Sequence, residues 1–215
     1  MSNPLSMPFI LAGSTVENPL SHIEAWPRLI EAVGPASLLA IINGRMSTAL
    51  KQRFCAEDML QETLAHAWRD RAKFQWQGLR SFRAWLLSII DHRIRDTTDH
   101  ESAQKRGGGR HVLSLDTPTS ESSSSEAFPP ELAASTTPSR LAMFKEQAGA
   151  MERAMMALPD EFRDVVRLRL WEQREMKEIA EMLGIGVEAV RHRFRKGAAV
   201  YREQLLIEFT SQRER

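Results

Sequence analysis

The stretch EIAEMLGIGVEAVRHRFRKG, residues 178–197, decides how the chain is read. Its first half is apolar at helical spacing, its second half is crowded with cations, and the halves meet at Gly184-Ile185-Gly186. Ile179, Met182 and Leu183 share one face of a short helix, and Gly184 is free to take the left-handed conformation that stops it. A second helix begins near Val187. Val187, Val190, Phe194, Ala198 and Tyr201 recur at i, i+3, i+7, i+11 and i+14, one stripe for burial against the preceding helix. Glu188, Arg191, His192 and Arg195 fall on the opposite face. Two short helices joined by a glycine turn, the second cationic on its outside, describe a helix-turn-helix. Arginine on that face matches guanine edges in a major groove, and neighbouring cations hold phosphates. A solvated amphipathic helix would show the same period, but no acidic residue dilutes the sequence between Ala189 and Arg202, which favours DNA contact.

Outward from this stretch, the charges balance almost completely: 29 Lys+Arg stand against 28 Asp+Glu, a net charge of +1. A nucleic-acid face must therefore come from the arrangement of charge and not from an excess. The 215 residues have room for one large domain or two small ones. Residues 107–139 are rich in Ser, Thr, Pro and Gly, with Asp116, Glu121, Glu126 and Glu131 against Arg110 alone. Such a composition buries too little apolar surface to offset its ordering entropy, so a flexible acidic linker is expected over 107–140. It would separate two small helical domains, 20–106 and 141–208, with terminal tails at 1–19 and 209–215. The apolar period is helical in both, which predicts an all-α fold. Helices are expected over 36–53, 57–71 and 82–99, the last capped by Ser81 after a loop at 73–78, and over 141–157. Another is expected from Pro159 to about Trp171, followed by the pair of the opening stretch.

Cys55 is the one cysteine, which excludes an internal disulfide and a cysteine zinc site and fits a reducing compartment, with the cytoplasm as the expected location. The amino terminus lacks the basic start of a secretory signal, and no stretch approaches the roughly 20 apolar residues of a bilayer span, so no membrane partner is expected. No cofactor and no metal site are expected either. Asp58 and Glu62 sit one helical turn apart, yet no histidine joins them at ligand spacing, so an enzyme is the least favoured class.

In AEDMLQETLAHAWRDR (56–71), Leu60, Leu64, Ala67 and Trp68 form a buried stripe that leaves Asp58, Gln61, Glu62, Ala65 and Arg69 outward. The residues alone describe a solvated face whose acidic start suits a helix amino end. The loop KFQWQG carries Phe74 and Trp76, and a helix with Arg83, His92, Arg93 and Arg95 follows. Rings beside cations are what single-stranded nucleic acid requires, since any base can stack on a ring. Rings folded under the loop as core would leave the same sequence, and both readings stand.

These segments resemble bacterial sigma factors of the extracytoplasmic-function type. AEDMLQETLAHAW is similar to that family's region 2.1 to 2.2, FRAWLLSIIDHRIRD to region 2.3 to 2.4, and LPDEFRDVVRLRLWEQREMKEIAEMLGIGVEAVRHRFRKGA to region 4. The resemblance implies a non-enzymatic subunit of core RNA polymerase that recognises promoter DNA. Asp58, Gln61, Glu62, Ala65 and Arg69 would face the clamp helices of the beta-prime subunit. Arg83, Trp85, Ser88, His92, Arg93 and Arg95 would read and melt the minus-10 element, with a flipped base received beside Phe74 and Trp76. Glu188, Ala189, Arg191, His192, Arg193, Arg195 and Lys196 would read the minus-35 element while the body of the domain rests on the beta flap. An anti-sigma factor is a further partner of the family. The chain departs from the family's pattern at His92, where asparagine is usual, at Ile90, where a small residue is usual, and at Gly186 and Ala189, where hydroxyl residues are usual. Two other readings are a helix-turn-helix regulator that binds duplex DNA without polymerase, and a sigma mimic that sequesters an anti-sigma protein.

Overall fold

The structure, a computed structural model, describes residues 18–106 and 137–213. Most of the linker expected over 107–140, and of the tail at 1–19, lies outside the described residues. Among the described residues every regular element is helical.

The first lobe is built on tryptophan packing. Asn18 caps a short 3-10 turn, Pro19–Ser21, that drops Leu20 into the core. Helix α1 (Trp26–Val33) ends at Gly34, whose φ of 75° is the left-handed conformation, and α2 (Pro35–Arg45) starts at once with its proline in the first turn. The two are bent by 60°. The α2 sequence is apolar on every side, with Leu38, Leu39, Ala40, Ile41 and Ile42 all buried, so it must be covered all round. One helix is not formed over 36–53. The chain turns extended at Met46, and Ser47 caps a separate short helix, α3 (Thr48–Lys51), by accepting from the Leu50 N–H. Helix α4 (Ala56–Asp70) buries Leu60, Leu64, Ala67 and Trp68. Trp26 meets Trp68 edge-on at 5.3 Å and Phe82 at 5.7 Å, which pins α1 to α4 and to α5 (Leu79–Arg106). Helix α5 is longer than expected at both ends. It begins just past Gly78, at φ 102°, with Ser81 inside its first turn and not at the cap.

The second lobe begins with α6 (Pro138–Met156), three residues earlier than the sequence suggests. Pro159 caps α7 (Asp160–Val166), which runs on into a π turn, Arg167–Trp171. Glu175 and Glu178 form a reciprocal capping box on α8 (Met176–Leu183), and Gly184 stops that helix at φ 63°. Helix α9 (Val187–Arg213) completes the lobe. Val165, Leu168, Ile179, Ala180 and Val190 form its small inner core. Met182, expected on that inner face, is 56% exposed, and Ala180 takes its place.

The lobes are not separate bodies. One buried cluster runs from Trp26 and Leu39 of the first lobe to Phe144, Ala148, Trp171 and Tyr201 of the second, because α6 lies along the outer side of α2. Among the described residues no single helix is long and apolar enough to cross a membrane; the apolar α1–α2 pair spends its side chains on this core.

Candidate functional site

Three surfaces hold the residues singled out by sequence, and a fourth was not foreseen. On α4, Asp58, Gln61, Glu62 and Arg69 are exposed and Ala65 is half-buried, so the outward set is contiguous on one face. Cys55 at the start of α4 donates from Sγ to Asp58 Oδ2 at 2.9 Å. Desolvation and that carboxylate push the thiol up. Glu62 Oε2 lies 3.8 Å from Arg93 Nη2, which ties the acidic face to α5.

The loop before α5 brings Phe74 and Trp76 onto the rings of Phe82 and Trp85. Phe74 stacks on Trp85 at 4.6 Å with planes 22° apart, and Trp76 tilts over Phe82 at 6.0 Å. Asn18 Nδ2 donates to the Phe74 carbonyl at 3.2 Å and holds the loop down. The rings are thus a half-buried aromatic shelf, intermediate between the two readings of the sequence: packed against the core from below, with an edge left at the surface. Along α5, Ser88, His92 and Arg95 are exposed and Trp85 and Arg93 half-buried.

Arg83 departs from expectation. A place on the DNA-facing surface was expected for it, but its side chain is 1% exposed. Its Nε donates to the Trp171 carbonyl of the other lobe at 3.0 Å, and Nη2 donates to Ser37 Oγ at 2.7 Å. Burial pushes the guanidinium down to about 10, with the Glu172 carboxylate working against the shift, so it remains charged at neutral pH. A charge so placed binds protein, not solvent or a groove, in this arrangement.

Helix α9 presents its outward set as the period requires. Glu188, Ala189, Arg191, His192, Arg195 and Lys196 are exposed and Arg193 is half-buried, while Val190 is fully buried and Phe194 packs inward. Arg191 bonds to Glu188 one turn earlier. Gly197 is the point of closest approach to α7: a Cβ there would lie 2.6 Å from Val166 Cγ2 and 2.7 Å from Phe162 Cβ.

Sequence reasoning missed the polar contact between the lobes. Arg80 donates to the Gln173 carbonyl at 2.9 Å, pairs with Glu175 at 2.6 Å and reaches Glu178 at 3.5 Å. Arg45 bridges Asp91 at 2.6 Å and Glu172 at 3.2 Å. Gln173, a non-glycine residue at φ 56°, turns its segment so that these carbonyls and carboxylates face α5. A cleft of about 420 Å³ runs along the contact, between Ser88 and Asp91 on one wall and Glu172 and Arg174 on the other. The one signal available beforehand was the unbroken apolar run of α2, too wide for a helix covered on one side only.

Comparison with known proteins finds two family models on the chain. The model described as Sigma-70 region 2 matches residues 38–103, and the one described as Sigma-70, region 4 matches residues 154–200, together just over half of the 215 residues. A relative described as "Probable RNA polymerase sigma factor RfaY", from Xanthomonas campestris pv. campestris, is 28% identical over 154 residues, covering 72% of this chain and 35% of the relative. The chain thus spans about a third of that relative's length. A solved structure of the RsbN–BldN complex is similar at 18% identity with a TM-score of 0.30, covering 86% of this chain and 94% of that one.

Proposed function

The chain belongs to the sigma-70 family, and from that membership we propose that it is a sigma factor of the extracytoplasmic-function type. It joins core RNA polymerase in the cytoplasm and directs initiation at promoters read through minus-10 and minus-35 elements. The observation that carries this reading is the order of the two matches, region 2 on the lobe with the acidic α4 face and region 4 on the lobe with the exposed cationic α9 face.

The geometry supports a division of labour. Asp58, Gln61 and Glu62 offer carboxylates and an amide on a rigid helix, suited to a basic protein surface on the polymerase clamp. Ser88, His92 and Arg95 line the exposed side of α5, where they read and hold the minus-10 strand. The Phe74, Trp76 and Trp85 shelf offers a ring edge to a base turned out of its stack. On α9, Arg191 and Arg195 lie one turn apart on the face that enters the major groove, with Lys196 placed for phosphate. Ala189 offers a methyl where a hydroxyl is usual, which suits a thymine methyl better than a phosphate. These roles need binding alone, with no cofactor and no catalytic step.

The test is to reconstitute the chain with bacterial core polymerase and sequence the starts of the transcripts. Defined starts sharing upstream elements are expected. A chain that neither co-elutes with core enzyme nor starts RNA at any fixed position would overturn the proposal, and tight binding to duplex DNA without polymerase would favour a regulator instead.

A further inference from the structure

We propose that Asn18 is a positioning residue of the minus-10 site: its side-chain amide fixes the peptide that carries the aromatic shelf, so the turn at residues 18–21 sets how well an extruded base is received. This rests on the sigma reading above. The two ends of the Asn18 amide have different partners. Oδ1 accepts from the Leu20 N–H at 3.0 Å and caps the turn Pro19–Ser21, which closes as the Ser21 N–H donates to the Asn18 carbonyl at 2.9 Å. Nδ2 donates to the Phe74 carbonyl at 3.2 Å, across 56 residues of chain. Pro19 sets the first φ of the turn, and the fully buried Leu20 plants it in the core. The donor is therefore delivered by an anchored turn. Aspartate or serine would cap that turn as well as asparagine does. An ionised aspartate has no donor to offer, and a serine hydroxyl stands too close to its own backbone to reach the Phe74 carbonyl. Asparagine is the capping residue with a donor left over.

The loop that Asn18 holds is tied at both ends. The Phe74 N–H donates to the Arg71 carbonyl at 3.3 Å, and the Phe82 N–H to the Gly78 carbonyl at 3.1 Å. The turn Arg71–Lys73 is itself fixed to α4, because the Arg71 guanidinium lies 3.7 Å over the Trp68 ring and Lys73 pairs with Asp70 at 2.7 Å. Between those ends, at the peptide joining Phe74 to Gln75, Asn18 supplies a tie from outside the loop. Phe74 is thus held on both sides of its Cα, and its ring stays where it stacks on Trp85 at 4.6 Å. Trp76, two residues on, meets the Phe74 ring edge-on at 6.5 Å and tilts over Phe82 at 6.0 Å. Gly78, at φ 102°, gives the far end freedom to follow if the near end is released. Without its donor the Phe74 carbonyl can turn to water, and the rings turn with the peptide. An incoming base must then order the shelf as it stacks, an entropic cost that the native chain meets on folding.

The experiment uses the full chain with core polymerase on a duplex taken from a mapped start site, and compares Asn18→Ser with Asn18→Ala. Serine keeps the cap and adds no charge, whereas alanine removes cap and tie together. Both should slow promoter opening, followed by permanganate reactivity, roughly threefold to tenfold, with closed-complex binding and capture by core polymerase unchanged. Abasic sites are then stepped through the minus-10 element, one strand at a time. At the position where the native chain loses rate, native and Asn18→Ser should become equally slow, because no base is left for the shelf to receive. At every other position the gap between them should persist. A merely structural loss would slow the variant by the same factor throughout, and that result overturns the proposal. Native rates for Asn18→Ser overturn it too, as does a defect confined to Asn18→Ala, which would leave Asn18 a cap and nothing more. Failure of the native chain to initiate anywhere sinks the sigma reading and this proposal with it, whereas initiation that is indifferent to Asn18→Ser sinks this proposal alone.

Discussion

At Gly197 a single hydrogen decides whether α9 can lie against α7. An alanine there drives a methyl into Val166 and the Cβ of Phe162, and neither backbone can retreat without moving the recognition helix. We expect Gly197→Ala to cost about 1–3 kcal/mol of stability in denaturant titration, with a larger loss of duplex recognition than of helix content. Arg191 carries a different prediction. Its replacement by alanine should cost on the order of 1–3 kcal/mol at one base pair of the minus-35 element. Equal loss across all sequences in a binding selection would mark a phosphate contact instead. Residues such as Arg191 and His192 were legible in the sequence because helical period alone sets which side of α9 they take. Arg83 was not. A cation in a basic helix reads as surface unless the acceptor is known, and its acceptor is a main-chain carbonyl of Trp171, far along the chain, that no side-chain pattern reveals. Met182 misled for the opposite reason: an apolar residue at a plausible spacing was read as core, whereas α8 buries only Ile179 and Ala180.

Among elements, α4 was read correctly on both faces, since an amphipathic stripe and its acidic first turn are local properties. Glu62→Lys on its outer face should weaken capture by core polymerase while leaving the melting temperature within a degree or two. Capture unchanged by the reversal would remove the docking role. The aromatic loop invites a kinetic prediction. Trp76→Ala takes away the tilted ring over Phe82, and promoter opening, followed by permanganate reactivity, should slow more than closed-complex binding. Helix α6 carries a pH dependence. Burial pushes the Glu152 carboxyl above the usual glutamate range, and one of its buried oxygens finds no hydrogen-bond partner among the described residues. Its charged form is therefore the costly one in the fold. Glu152→Gln should raise the melting temperature at pH 7, and the gain should shrink as pH falls through the raised value toward the ordinary 4.5, where the native carboxyl takes up its proton. A gain that does not change with pH would place the effect elsewhere.

For the molecule as a whole, the sequence indicated two helical lobes but gave no sign of the buried contact between them. Composition marks where a chain changes character, but period says only that a face is buried, not what buries it. The shared cluster from Trp26 to Tyr201 gives the closed chain one core, so calorimetry of the native protein should record one cooperative transition. Glu175→Arg, which breaks the Arg80–Glu175 pair between the lobes, should split or broaden it. Two resolved transitions in the native chain would mean that the lobes are energetically independent.

The sandwiching of α2 between α4 and α6 also bears on how the protein is born. Some fifty residues separate the end of α5 at Arg106 from the end of α6 at Met156. At about 5–20 residues per second, a ribosome leaves the greasy outer flank of α2 bare for several seconds. The nascent first half is then the sticky half, and a chain stalled or truncated at that stage is where a chaperone, or an aggregate, gets its chance.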